Sequence, residues 1–234
     1  MRYIEKGPAD AGLLKEPVPR SGLKAKRAWG RFKKKPAKKA TLTNCLKEQF
    51  FLCGYSEVEL NKEEFGYHIE HIKPKKQNPT LTFEHTNLIV SAIDDVNTRK
   101  ILKEHVFGGH AKHGWDNEEA LIHPLKVECS DFFVFEESTG LISPNPELPR
   151  REQAKARLTI YKLNLNSPAL VPKRKNMLNA IRLVVDELLE TGRFDDLESF
   201  AKRNLLPDGN KLVAFHSANK QIFGKIADKV INDF

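Results

Sequence analysis

The apolar and polar positions along the chain divide it into segments of different periodicity. From Thr41 onward, Leu42, Cys45, Leu46 and Phe50 recur at helical spacing, which predicts a helix ending near Phe51 with Thr41 or Thr43 as its cap. Tyr67-His68-Ile69-Glu70-His71-Ile72 alternates with period two and predicts a strand, stopped by Lys73-Pro74-Lys75-Lys76. Thr86-Asn87 opens an apolar run, Leu88-Ile89-Val90-Ser91, that fits strand or helix on pattern alone. Gly108 to Gly114 reads as a loop rich in glycine and histidine. Phe132-Phe133-Val134-Phe135 predicts a buried strand that turns at Ser138-Thr139-Gly140. Farther on, Leu178, Ile181, Leu183, Val184, Val185, Leu188 and Leu189 predict an amphipathic helix closed by Gly192, and helical patterns continue over Leu197–Leu206 and Leu212–Ile231.

The first forty residues differ from all of this. Pro8, Pro17, Pro19 and Pro36 stand among lysines, which predicts an extended basic arm with one short helix and little contribution to a core. Charge sharpens the contrast. Ten Lys and Arg and no acid lie between Arg20 and Lys39, more than the whole net charge of +8. Such a segment suits contacts with phosphates, and Trp29 and Phe32 within it would stack on bases or pack on the domain; a solvated arm without a ligand is the bland alternative.

Composition narrows the class. No run approaches the ~18 apolar residues of a membrane span, and the first residues lack an apolar leader, so a cytoplasmic protein is expected. Three cysteines, Cys45, Cys53 and Cys129, form no CxxC pair and make reduced thiols the default. No GxxxxGK[ST] loop and no Ser-His-Asp arrangement is found.

The chemistry concentrates in Glu70-His71. Phosphodiester hydrolysis needs a deprotonated water behind phosphorus and a positive charge for the leaving oxygen, and a histidine beside a metal-binding carboxylate supplies both. Neighbouring side chains on a strand point to opposite sides, yet they can converge at a strand end. As an isolated dipeptide this is a weak signal. Its company strengthens it: His68, Pro74, Asn87 before an apolar run, then His110 with Lys112.

Those residues carry a resemblance that extends over most of the chain. His68-Ile69-Glu70-His71-Ile72-Lys73-Pro74-Lys75, Asn87-Leu88-Ile89-Val90-Ser91, Gly109-His110-Ala111-Lys112-His113-Gly114-Trp115-Asp116, His123-Pro124-Leu125 with Glu128-Cys129, and Leu163-Asn164-Leu165-Asn166-Ser167-Pro168 follow in order, and Lys6-Gly7-Pro8 also fits. Together they resemble the PtuB family, the HNH endonuclease subunits of Septu-type and retron-associated anti-phage systems. The resemblance implies an α+β fold: an HNH (ββα-metal) nuclease core over residues 41–145, a basic N-terminal arm over 1–40 and a helical C-terminal region over 146–234. It implies His71 as general base, Asn87 as the brace that orients it, and Glu70 and His110 as ligands of Mg²⁺ or Mn²⁺. The 39-residue gap from His71 to His110 is long, and Asn97 is a rival second ligand. Lys73, Lys75, Lys76, Lys112 and His113 are the candidates for nucleic-acid contact. His85, His105, His123 and Cys129 read as structural.

The resemblance also implies partners: a nucleic-acid substrate, a PtuA-like ABC/SMC-type ATPase, and in the retron version a reverse transcriptase with its RNA–DNA product. One departure stands out. The family braces its core with a zinc on four cysteines, whereas the corresponding places here are Cys53, Ser56, Ala92 and Gly108. Four ligands are needed, so no structural zinc is expected, and apolar packing by Phe51, Leu52, Phe65, Leu88 and Val90 is expected instead. A non-catalytic nucleic-acid-binding or adaptor subunit on a degenerate HNH scaffold is the alternative.

Overall fold

A computed structural model describes all residues except 116, 118 and 234; Asp116, which ends one of the blocks quoted above, lies outside the described residues. The largest difference from expectation is at the N-terminus. Instead of an extended arm, the chain forms α1 (Ala11–Leu14), α2 (Gly22–Phe32) and α3 (Pro36–Glu48). Ser21 caps α2 through its hydroxyl, which accepts from the Lys24 N–H at 3.4 Å. Ala25, Ala28, Trp29 and Phe32 recur at i, i+3, i+4 and i+7, and this face is buried while the lysines project from the other. Pro36 starts α3 at a position where a missing N–H costs nothing. The cationic and proline content hid an apolar stripe, and Met1, Ile4 and Leu13 join the same core.

The centre is an antiparallel hairpin. Strand β1 (Tyr67–His71) pairs with β2 (Leu88–Ala92), with Glu70 opposite Ile89 and His71 opposite Leu88. The apolar run after Asn87 is therefore strand, buried at every position. Helix α3 is fastened to β2 by Gln49, whose Nε2 donates to the Val90 carbonyl (2.8 Å) and whose Oε1 accepts from the Val90 N–H (2.6 Å). After β2 the chain passes through short 3-10 turns at Asn97–Arg99 and Lys103–His105 to a single helical turn, α4 (Gly109–Lys112). What read as a loop at Gly108–Gly114 thus contains one turn of helix laid against β1.

A second hairpin, β3 (Phe133–Phe135) with β4 (Ile142–Pro144), turns where expected. Helices α5 (Arg150–Lys162), α6 (Val171–Glu190), α7 (Phe194–Leu205), α8 (His216–Phe223) and α9 (Lys225–Asn232) complete the chain. In α6, Leu178, Ile181, Val185 and Leu188 are buried but Leu183 is 71% exposed, so the buried stripe is narrower than the run of apolar residues suggests. The whole is a mixed α and β chain with small sheets. Among the described residues no helix is long and apolar enough to cross a membrane.

Candidate active site

Strand β1 sorts its side chains by parity. Ile69 and His71 are buried on one side, while His68 and Glu70 share the other and are half-buried. Because His71 ends the strand, both sides reach one cavity of about 700 Å³, whose walls include His68, Glu70, His71, Lys75, His110 and His113. Trp29 and Lys26 of α2 line it together with Lys33, which follows the helix, and Lys38 of α3.

His71 is held from two sides. Its ring meets Trp29 edge-on at 4.5 Å, and its Nε2 lies 3.1 Å from the Thr82 carbonyl. A carbonyl only accepts, so Nε2 carries the proton and Nδ1 keeps its lone pair. Burial, with help from the charge of Lys75, pushes the imidazole down to about 3, so the ring is neutral near pH 7 and its lone pair is free, though weakened as a base. Asn87 fixes the loop that supplies this geometry. Its Oδ1 accepts from the Lys73 N–H (2.7 Å), and its Nδ2 donates to the carbonyls of Lys73 (3.0 Å) and Leu81 (3.1 Å). The two ends of the connection from β1 toward Thr82 are tied by one amide.

Glu70 sits under α4. A Cβ on Gly109 would come within 2.7 Å of the Glu70 carboxyl carbon, so glycine is what lets the helical turn approach. Burial alone would raise the Glu70 carboxyl, but hydrogen bonding with His68 and the Lys112 charge prevail and hold it down at about 2. His110 stacks beside His68, with ring centroids 4.5 Å apart. Its Nε2 is buried without a hydrogen-bond partner, 3.7 Å from Asp95 Oδ1. Asn97, the rival second ligand, lies elsewhere: its Nδ2 donates to the Phe65 carbonyl at 3.0 Å.

The proposed nucleic-acid contacts divide. Lys75 lines the cavity with its ammonium 5.9 Å over the Trp29 ring, Lys76 and His113 are exposed, and Lys73 is half-buried. Lys112 corrects the expectation. Its side chain is fully buried, and its ammonium donates to the carbonyls of His71 (2.8 Å) and Ile72 (2.7 Å) and pairs with Glu70 Oε1 (3.0 Å). It anchors the end of β1 and is not available to a substrate. The sequence reading did not name Asp95, gave His68 no role of its own, and placed the lysines of residues 20–39 on a basic arm instead of at this cavity. For His68 a signal existed, since i and i+2 on a strand share a face.

Around the places compared above with a four-cysteine zinc site, Cys53 Sγ accepts from the Ala92 N–H (3.3 Å), and the neighbouring Ser91 hydroxyl accepts from the Gly109 N–H (3.0 Å). Ser56 is buried with its hydroxyl unpaired. Hydrogen bonds therefore join the apolar packing expected there; Leu52, Phe65, Leu88 and Val90 are buried, and Phe51 is half-buried.

Cys45, Glu48 and His85 bring their ligand atoms within 4.8 Å of one another. An organic cation already serves them. Lys6 donates from its ammonium to Glu48 Oε2 (2.5 Å), Cys45 Sγ (3.6 Å) and the Leu88 carbonyl (2.9 Å). Burial pushes the Cys45 thiol up to about 11, so it is protonated near neutral pH while Lys6 occupies the cluster. The cavity beneath α2 is a second place where a divalent ion could be held. It offers an ionised carboxylate, an orphaned imidazole nitrogen and open volume.

No known protein-family model matches the chain. Over 133 residues it is 31% identical to a retron Vc95 protein of Vibrio cholerae serotype O1 biovar El Tor that is assigned by its name to the HNH endonucleases; the match covers 56% of this chain and 59% of that protein. The chain therefore spans little more than half of that relative, and its similarity is to a retron protein named as an HNH nuclease.

Proposed function

We propose that this protein is a divalent-metal-dependent HNH endonuclease that hydrolyses phosphodiester bonds of DNA or RNA, acting as the effector of an ATPase-coupled, retron-associated anti-phage system. The observation that carries the reading is the shared cavity: a neutral imidazole with one nitrogen committed to a carbonyl, next to a carboxylate held ionised at about 2. In this reading His71 Nδ1 takes the proton of the attacking water, and the Thr82 carbonyl and Trp29 keep the ring in place as it becomes an imidazolium. Burial is the main cause that depresses His71, and entry of a phosphate beside Lys75 would offset the smaller cationic contribution. Asn87 keeps the Thr82 loop in register with the strand end. Glu70 and His110 would hold the metal ion, Mg²⁺ or Mn²⁺, which supplies charge stabilisation for the leaving oxygen. Lys75, Lys76 and His113 would meet the backbone of the substrate, joined by Lys26, Lys33 and Lys38.

The helices over residues 146–234, where Leu183 and Leu189 are exposed on different sides of α6, and the N-terminal segment would provide the docking surface for a PtuA-like ABC/SMC-type ATPase. A reverse transcriptase with its RNA–DNA product would complete the retron assembly. The test is incubation of wild-type and His71→Ala protein, with and without the ATPase, against duplex DNA, single strands and cellular RNA in Mg²⁺, Mn²⁺ or EDTA. Metal-dependent cleavage lost in His71→Ala, with binding retained, supports the reading. Cleavage that survives His71→Ala, or none under any condition, refutes it in favour of a binding or adaptor role.

A further inference from the structure

Helix α2 carries cations on both flanks, and the proposed mechanism uses one flank alone. Lys26, with Lys33 just after the helix, lines the catalytic cavity. On the other flank Lys24, Arg27 and Arg31 recur at i, i+3 and i+7 over about 10 Å of helix. With Arg20 before the helix they line a separate groove of about 500 Å³. All four are exposed, and among the described residues none has an ion pair or a side-chain hydrogen bond. Glu16, the acid nearest in sequence, is taken by Lys35 at 2.5 Å.

The apolar lining and the crest of the helix define the kind of polyanion that fits. Besides the cations, the groove is lined by Pro17, Val18 and Ala28, and Val18 is 64% exposed. A duplex keeps its bases stacked inside and would leave that apolar surface bare, whereas a single strand lays unpaired bases on apolar faces and on guanidinium planes. Gly30, on the exposed crest between the two flanks, gives the path. It lies inside the helix, where glycine costs stability, yet a Cβ there would meet nothing within 4 Å, so packing does not require it. What the bare backbone permits is close approach of a ligand.

We propose that the groove between Pro17-Val18 and α2 binds single-stranded nucleic acid, so that a strand whose scissile phosphate lies in the catalytic cavity crosses α2 at Gly30 and runs on over Arg27 and Arg31. The cations would also attract an acidic peptide. Nucleic acid is selected because the groove and the catalytic cavity share one helix, which makes a continuous cationic path from one to the other. The inference rests on the nuclease reading above for the other end of the strand, and adds to it the class of substrate, one unpaired strand of DNA or RNA.

The experiment is fluorescence anisotropy of labelled oligothymidylate, oligouridylate and a DNA duplex of equal length with the full chain in EDTA, over a range of salt, with polyglutamate as competitor. Arg27→Ser with Arg31→Ser removes two groove charges. Lys34→Ser with Lys39→Ser removes two exposed charges of the same segment that line neither site. Circular dichroism checks that each variant is folded. Wild type is expected to bind the single strands at least fivefold more tightly than the duplex. The groove pair should lose at least tenfold in affinity, and its slope of log affinity against log salt should be shallower by about 1.4, from about 0.7 for each phosphate contact on a single strand. The control pair should lose less than threefold, and Gly30→Leu, which fills the open crest, at least fivefold. Equal losses in the groove and control pairs, tighter binding of the duplex, or displacement by polyglutamate as effective as by unlabelled strand overturns the proposal. Should the groove pair not fold, Gly30→Leu and the preference of the wild type decide. Wild type that binds single strands through this groove but cuts none in Mn²⁺ supports the site while refuting the nuclease reading.

Discussion

Lys112 and Glu70 form an ion pair of 3.0 Å at the inner end of the cavity, with the lysine side chain wholly buried and also bonded to the His71 and Ile72 carbonyls. One ammonium therefore fixes the carboxylate and the backbone that carries the imidazole. Glu70 and His71 are adjacent in sequence but belong to opposite sides of a strand, and their relative position depends on how that strand ends.

Replacing Lys112 by Met leaves Glu70 with an uncompensated charge and two carbonyls without their donor. Removing one partner of a buried pair typically costs about 3–5 kcal/mol. The expected outcome is a loss of that size in urea-unfolding free energy measured in EDTA. Mn²⁺ should recover a larger part of stability in Lys112→Met than it adds to wild type, because the ion then supplies the missing positive charge. Equal Mn²⁺ effects on the two proteins would show that the ion does not meet Glu70.

Gly109→Ala is expected to displace the carboxylate directly. The new Cβ would fall 2.7 Å from the Glu70 carboxyl carbon and 2.9 Å from its Cγ, so α4 or the side chain must shift. Overpacking of this kind costs roughly 1–3 kcal/mol. Metal affinity should fall more than tenfold while the far-UV spectrum stays that of wild type. A variant with wild-type metal affinity would mean that α4 moves freely, contrary to the tight approach seen here.

Much of this site was legible because strands and turns leave local signatures. The alternation of Tyr67–Ile72 gave β1 to within a residue, and of the ordered set Glu70, His71, Asn87 and His110, three line one cavity while Asn87 ties Lys73 to Leu81. The failures share a cause. Lys112 reads as a surface cation because charge is usually solvated, and only tertiary structure reveals the three acceptors that bury it. Residues 1–40 read as an arm because lysine and proline dominate by number, although four apolar side chains at helical spacing were enough to seat α2 on the core. Trp29 against His71 is a contact across 42 positions in sequence that no local pattern announces.

Asn87→Ala removes one acceptor and two donations that tie Lys73 to Leu81. Leaving such groups unsatisfied costs about 1–3 kcal/mol each where they are buried. The loop bearing Thr82 should loosen, and with it the hold on His71. Nuclease turnover is expected to drop by at least tenfold with Mn²⁺ affinity nearly unchanged, since neither Glu70 nor His110 touches Asn87 among the bonds described. Parallel losses of metal binding and turnover would show that Asn87 supports the ligands themselves.

Glu48 makes stability depend on acid pH from a cluster outside the cavity. Burial on its own would raise its carboxyl, but hydrogen bonds from His85 (2.7 Å) and Lys6 (2.5 Å) and their charges outweigh it and leave the group below the ordinary carboxylate value. A carboxylate whose folded pKa is depressed stabilises the fold above its unfolded pKa of about 4.3, and that contribution is lost as pH falls through the lower folded value. Wild type should therefore show a falling urea midpoint as the pH drops below about 4.3. Glu48→Gln should be less stable than wild type at pH 7 by about 3 kcal/mol, the low end for breaking a largely buried pair, because Lys6 then lacks its anion. The difference between the two should shrink as the pH falls below the unfolded carboxylate value and through the lower folded one, where the wild-type carboxylate takes up its proton. If the gap is the same at pH 7 and pH 3, the Lys6–Glu48–His85 arrangement does not contribute through charge, and the cluster is held together by packing alone.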